Sequence, residues 1–410
     1  MNKNDLKRLF EETDYIHASG TPEEKRAAEY LKARCAELGV TARIEEFRVA
    51  MADIDRAELL ADGSPVPCKA LMCCGSGTIE GELYYMPASD PVSVAGARGR
   101  IVLLPGTKID HFLYQDLVRA GAKGIICQYG SVYWDNNDID ERDLREAVRG
   151  GAEKLLGVTI HTRDAVRMVR DGVKRVRLTV EEREYDGVSR NVTAELPGET
   201  DDIIALTAHF DSTRLSHGAY DNMSGCAALL GVMDAVKDVP HRCTLRFVFC
   251  GSEERGLLGS KAYVQAHKED LDRIALNVNT DMIGSVMGGF VACVSAEEAL
   301  AHYIRYMGAE RGLPIRAYTG VYPSDSTPFA DAGIPAVSFA RDAGTNAAQI
   351  HCRYDTMALL SMDRLKDDID FITAFTLRMA NSAVCPVSRE IPEDIKKQLD
   401  EYLFRRRKNA

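Results

Sequence analysis

The stretch Ile203-Ile-Ala-Leu-Thr-Ala-His209-Phe-Asp211 is a mostly apolar run of strand length that carries a histidine and an aspartate to its far end. The same device recurs. Thr244 to Cys250 (TLRFVFC) reads as a second buried strand and runs into Gly251-Ser-Glu253-Glu254. Leu276-Asn-Val-Asn-Thr-Asp281 closes a third strand with another acid. Between the first two lies Gly218-Ala-Tyr-Asp221-Asn-Met-Ser-Gly225, a glycine-flanked turn that leads into small and apolar residues. Open α/β sheets build their sites at the C-terminal ends of such strands.

Residue type points to the chemistry. His209, Asp221, Glu254 and Asp281, with His351 downstream in Ile350-His-Cys-Arg-Tyr-Asp-Thr, offer imidazole and carboxylate without cysteine. That set suits zinc, with cobalt or manganese as alternatives. If Asp221 bridges, each of two divalent ions gains three protein ligands and the pair shares one water, the open arrangement a catalytic pair needs. Glu253 is then left beside the ions, placed to take a proton from that water and pass it to the leaving amine. Singly, each piece has a plainer reading: a loop coincidence for His-x-Asp, a solvated helix start for Glu-Glu, a cap or turn for Asp281. Five such residues, four of them at the ends of consecutive strands, are hard to explain separately.

On these residues the chain resembles the co-catalytic zinc aminopeptidases. That family includes secreted bacterial leucine aminopeptidases, yeast aminopeptidase Y and, more distantly, glutamate carboxypeptidase II. The matching pattern is His209-x-Asp211, Gly218-Ala-Tyr-Asp221-Asn-Met-Ser-Gly225, Gly251-Ser-Glu253-Glu254-x-Gly256-Leu-Leu-Gly259-Ser, Asn279-Thr-Asp281-Met-Ile-Gly284 and His351-x-x-x-Asp355-Thr. It lies within residues 20–50 and 188–384. The resemblance implies two divalent ions per chain, His209, Asp221, Glu254, Asp281 and His351 as ligands, Glu253 as general base, and Asp211 as the carboxylate that orients His209. Asp355 reads either as the same kind of partner for His351 or as a cap of the helix after Thr356.

Two departures stand out. The family often writes Ser-Asp-His-x-Pro-Phe where this chain has Ser324-Asp-Ser326-Thr-Pro328-Phe. The tyrosine that stabilises the oxyanion in some relatives has no direct match: Ile350 precedes His351, and Tyr322, offset by one position, is the candidate donor. His217 reads as loop structure rather than a ligand.

The strand pattern and the resemblance imply an α/β fold: a three-layer αβα sandwich around a mixed, mostly parallel sheet, with a smaller β-rich domain inserted. Residues 1–54 and 184–386 form the catalytic metallopeptidase domain, 55–183 the insert, and 387–410 a charged helical tail, read as solvated. In the insert, Arg100-Ile-Val-Leu-Leu, a helix over 110–120 and Gly121-Ala-Lys-Gly-Ile-Ile-Cys form a strand–helix–strand unit that resembles the protease-associated domain. Before it, Thr21 caps a helix with Pro22 at its first position and Glu24 at its third, the capping-box spacing.

Bulk properties narrow the partners. With 51 basic and 62 acidic residues the net charge is −11, which argues against nucleic acid and anionic membrane. No window approaches the run of about 18–20 apolar residues that spans a bilayer. The start, MNKNDLKRLFEETDYIHASG, lacks an apolar stretch, and several of the eleven cysteines sit in apolar runs as reduced core residues. Together these point to the cytoplasm. Peptides are the expected partners, and a homo-oligomer stays open. The favoured function is an exopeptidase that removes N-terminal residues. A carboxypeptidase or other amide hydrolase is the alternative, with Arg341 and Arg353 near the relevant loops, and a metal-free binding protein is a third. No arginine fork stands at a motif position, and the ligand set is complete.

Overall fold

Seven strands of one sheet bring the motif residues together. In the computed structural model, which describes residues 1–106, 109–344 and 347–408, the chain divides into two units: Met1–Val49 with Val188–Lys408, and Ala50–Gly187. In the first, β1 (Ala42–Ala61) pairs with β2 (Arg175–Leu196), and both strands run on into the second unit. The others are β3 (Thr200–His209), β4 (Cys243–Cys250), β5 (Ile274–Thr280), β6 (Gly289–Ser295), β7 (Ile315–Thr319) and β8 (Ala336–Asp342). Their spatial order is β7-β6-β8-β5-β3-β4-β2. β4, β3, β5 and β8 run parallel, whereas β2 and β6 are antiparallel to their inner neighbours.

Burial on β3 shows why its sequence is continuously apolar. Ile204, Leu206 and Ala208 face a large cluster that includes residues of the helices Pro22–Glu37, Ser224–Val236, Glu298–Glu310 and Met362–Ala380. Ile203 and Ala205 point the other way, into a cluster with Val248, Tyr263 and Phe329. A strand covered on both faces needs an apolar residue at nearly every position. Each fully buried Leu, Ile or Phe contributes about 1.5–3 kcal/mol. Helix Ser224–Val236 is buried on most of its circumference, and its small residues let it approach closely. At Gly231 a Cβ would stand 2.8 Å from Ile369 of the neighbouring helix, so no larger residue fits without repacking.

The strands of the second unit continue from the Arg175–Val180 stretch of β2, which pairs antiparallel with Gly77–Glu82. Gly77–Tyr85, Ile101–Leu103, Gly124–Tyr129 and Leu156–His161 pair in parallel in that order, and Cys68–Ala70 closes the edge antiparallel. Asp110 caps helix His111–Ala120, and Gly121, at φ +78°, ends it in the left-handed conformation that glycine adopts without penalty.

The tail differs from the solvated terminus read from sequence. Helix Glu393–Tyr402 buries Ile395 and Leu399 against Ala330, Ala336 and Ile391. Its charges mask an apolar stripe of two residues one helical turn apart, too short to stand out. Ile395→Ala should therefore destabilise the protein by about 2–4 kcal/mol, as core truncations do. Urea unfolding checks this; a solvated tail would give a change within about 0.5 kcal/mol.

Candidate metal centre

Parallel pairing places the acids. Cys250 on β4 lies beside His209 on β3, and Asn279 on β5 lies beside Thr207. Two residues beyond the latter pair are Asp281 and His209, so the strand ends are level. The loops then turn sharply. Of the seven described non-glycine residues with positive φ, Ser252 (+56°) precedes Glu253, Met282 (+64°) follows Asp281, and His351 (+57°) is itself a predicted ligand. Such backbone persists only where its surroundings over-determine it, and it clusters at functional sites.

Four carboxylates and two imidazoles meet there. His209 Nε2 stands 3.2 Å from Asp221 Oδ1, 3.5 Å from Asp281 Oδ1 and 4.0 Å from Glu253 Oε2. His351 Nε2 stands 3.1 Å from Asp221 Oδ2 and 3.0 Å from Glu254 Oε1. Two groups result, His209–Asp221–Asp281 and Asp221–Glu254–His351, each with its ligand atoms within 4.8 Å of one another. They share Asp221, one oxygen facing each imidazole. Asp281 Oδ1 is buried and finds no hydrogen-bond donor among the described residues. Buried carboxylates at this density are short of positive charge, and the N/O donor set is one that borderline divalent ions accept.

Surrounding groups hold the ligands. His209 Nδ1 lies 3.1 Å from the Asp211 backbone carbonyl, the contact that directs Nε2 toward the cluster. The Asp211 carboxylate flanks the same ring, with Oδ1 3.6 Å from Nδ1, and also accepts from the backbone N–H of Glu253 (2.8 Å) and Glu254 (3.3 Å). Asp355 serves neither of the roles expected of it. It accepts from the N–H of Tyr220 (2.7 Å) and Asp221 (3.2 Å) and from Ser216 Oγ (3.1 Å), so it fixes the shared carboxylate. Asn222 ties the same loop to β5, accepting from Met282 N–H and donating to the Thr280 carbonyl. His217 pairs with Asp14 away from the cluster, as loop structure should.

Residues 191–376, which hold both ligand groups and Glu253, match the family model described as Peptidase family M28. Over these residues the chain is similar to peptidase family M28. It is 25% identical to aminopeptidase YwaD of Bacillus subtilis over 405 residues, covering 93% of this chain and 84% of that protein. It is 26% identical to the probable lipoprotein aminopeptidase LpqL of Mycobacterium tuberculosis over 302 residues, 70% of this chain and 58% of that one. A solved structure described as BSAP, a zinc aminopeptidase from Bacillus subtilis, superposes with a TM-score of 0.77 at 22% identity, covering 95% and 98% of the two chains. That likeness confirms an M28-type fold, a mixed sheet flanked by helices.

Burial shapes the electrostatics of the site. Burial, reinforced by Glu254, Asp325 and Asp281 and opposed by His209, holds the Glu253 carboxyl well above the usual range. For Asp221, burial is outweighed by hydrogen bonds from His209 and His351, which hold it below that range. Tyr322 is perturbed first by burial and then by Asp281, Tyr220 and Asp221, which keeps its hydroxyl protonated beside the cluster. Asp325 stands beside Ser326, where the motif's imidazole is missing, and its sequence context gives no sign of its burial. It is fully buried and burial pushes it up to about 7, while nearby Ser260 donates to the Leu257 carbonyl. Arg341 is buried against Asp368 at 3.0 Å and donates to the Gly288 carbonyl, so it offers no fork to a ligand. No described helix is long and apolar enough to cross a membrane.

Asp355→Asn replaces an acceptor-only group with an amide that cannot accept all three donors. Affinity for zinc should fall about 10–100-fold, as for other residues that orient ligands. Competition with a chelator measures it, and unchanged affinity would show that the Asp221 loop holds itself in place.

Proposed function

We propose that this chain is a dinuclear metallo-aminopeptidase, hydrolysing the first peptide bond of substrates with a free N-terminus. The observation that carries this is Asp221, whose two oxygens face two imidazoles, each with its own further carboxylate. His209, Asp221 and Asp281 would hold one ion; Asp221, Glu254 and His351 would hold the other. When bound, two such ions supply Lewis acidity to the scissile carbonyl and make the attacking water more acidic. Relatives named as aminopeptidases, one of them described as a zinc enzyme, favour zinc.

The side chains supply the rest. Glu253, 4.0 Å from His209 Nε2 and not among either ligand group, takes a proton from the attacking water. As the C–N bond breaks, it returns that proton to the departing amine, leaving a free amino acid and a shortened peptide. A carboxyl held above its usual range suits both halves of that task. Tyr322 donates its hydroxyl to the carbonyl oxygen as charge develops there. The acidic surroundings suit an amine terminus, while the buried Arg341–Asp368 pair removes one of the two arginines that could have captured a C-terminal carboxylate. The unit Ala50–Gly187 we read as a protease-associated-like module, a reading supported by its strand–helix–strand core. Eleven cysteines without a disulfide support a reducing location such as the cytoplasm.

Glu253→Gln should retain two ions by elemental analysis while kcat falls about 10²–10⁴-fold, the range for a lost general base. Loss of metal with an unchanged rate per bound ion would exchange the roles of Glu253 and Glu254. Across a peptide panel, N-acetylation should abolish turnover and C-terminal amidation should change it little. The reverse pattern would make the enzyme a carboxypeptidase.

A further inference from the structure

Glu24 stands at the third position of helix Pro22–Glu37, where a capping box would turn it back to the cap residue. Only half of that box forms. Thr21 accepts from Glu24 N–H at 3.2 Å, but the Glu24 side chain goes inward and is fully buried. One of its oxygens accepts from Gly20 N–H at 3.0 Å, and the other accepts from Ser189 Oγ. Ser189 in turn accepts from Ser252 Oγ at 2.7 Å, and Ser19 Oγ lies 2.5 Å from Ser252 Oγ. Since Ser252 has given its proton to Ser189, Ser19 is the donor in that last contact. The result is a one-way chain of hydroxyls, Ser19 to Ser252 to Ser189, ending on a carboxylate. All four side chains are buried.

The chain ends where it matters. Ser252 immediately precedes Glu253 and holds the left-handed φ of +56° that swings the turn toward the cluster. The network presses on the turn's backbone as well: a Cβ at Gly251 would lie 2.8 Å from Ser189 Oγ and 2.9 Å from Glu24 Oε1. On its other side, the turn is gripped by Asp211 through the N–H groups of Glu253 and Glu254. The same N-terminal segment also holds the loop after His209, through His17 N–H to Ser212 Oγ (3.1 Å) and Ser212 N–H to the His17 carbonyl (3.3 Å).

We propose that Glu24 is a positioning residue for Glu253, acting through Ser189 and Ser252 to fix the turn that aims the base. The proposal rests on the reading of Glu253 given above. It depends on accepting hydrogen bonds rather than on charge. Burial pushes the Glu24 carboxyl up to about 8 while the Ser189 hydroxyl opposes that rise, and either ionisation state can accept from Ser189. A base displaced by a fraction of an ångström loses rate without losing substrate affinity.

The test compares Glu24→Gln, Glu24→Ala and Ser189→Ala in the native enzyme and in Glu253→Gln, on the best substrate of the peptide panel. Metal content and Tm are measured alongside kcat and KM. In the native background, Ser189→Ala and Glu24→Ala should each lower kcat roughly 10–100-fold, with KM within about twofold and both ions retained, whereas Glu24→Gln, whose amide oxygen still accepts from Ser189, should keep kcat within about threefold. In the Glu253→Gln background the same changes should move the residual rate by less than about twofold, because the group they aim is already gone. Ser189→Ala removes a single hydroxyl and carries the test if Glu24→Ala does not fold. An unchanged kcat in folded, metal-loaded Ser189→Ala or Glu24→Ala overturns the proposal. So does an equal fall in both backgrounds, or loss of metal, either of which would make the network a general support of the fold. Full activity of Glu253→Gln alone would instead overturn the general-base reading, and the two failures are thus separable.

Discussion

Asp221 is a carboxylate shared between two imidazoles, and much of the catalytic unit is arranged so that it can be. It lies in a cluster with buried Asp281 and half-buried Glu253 and Glu254, and such charges are costly to draw away from water without compensation. His209 and His351 supply part of it. The remainder is the deficit a pair of divalent ions would fill, so the cluster is intelligible as a metal site and poorly intelligible as a stabilising core.

Keeping such a cluster open and aligned takes structure around it. Parallel strands end at one level, which delivers His209, the Glu253–Glu254 turn and Asp281 to the same edge. The connecting loops are then fixed by buried acceptors whose hydrogen bonds come from backbone amides. Asp355 holds the Asp221 backbone, Asp211 holds the Glu253–Glu254 backbone, and Asn222 joins the Asp221 loop to β5. Each replaces water for an N–H group that the turn would otherwise leave bare. Positive φ at Ser252, Met282 and His351 marks where this scaffolding bends the chain against its local preference.

Much of this was legible in advance for a simple reason. A strand covered on both faces must be written in continuous apolar residues, and a ligand must sit just past its end, so β3, β4 and β5 announce both themselves and their chemistry. The adjacent elements followed from ordinary periodicity, including helix Met362–Ala380 and the strand–helix–strand core of the other unit. Where the reading failed, the signal was weak or pointed elsewhere. The tail helix carries its buried stripe on Ile395 and Leu399 alone, beneath many charges. Asp355 looks in sequence like a partner of His351 or a helix cap, yet its carboxylate reaches the backbone amides of Tyr220 and Asp221.

The sequence by itself determined the α/β class, the positions of the strands, and the residue types that meet at their ends, because these depend on local pattern and on which atoms can bind a divalent ion. Only the tertiary structure decided what the supporting groups do. Glu24 is separated by 165 residues from the serine it binds, and Ser252 by 233 from Ser19. No local rule records such pairings. They arise when the N-terminal segment packs beneath the catalytic turn, since a buried hydroxyl or carboxylate must take whatever partner the fold leaves within reach.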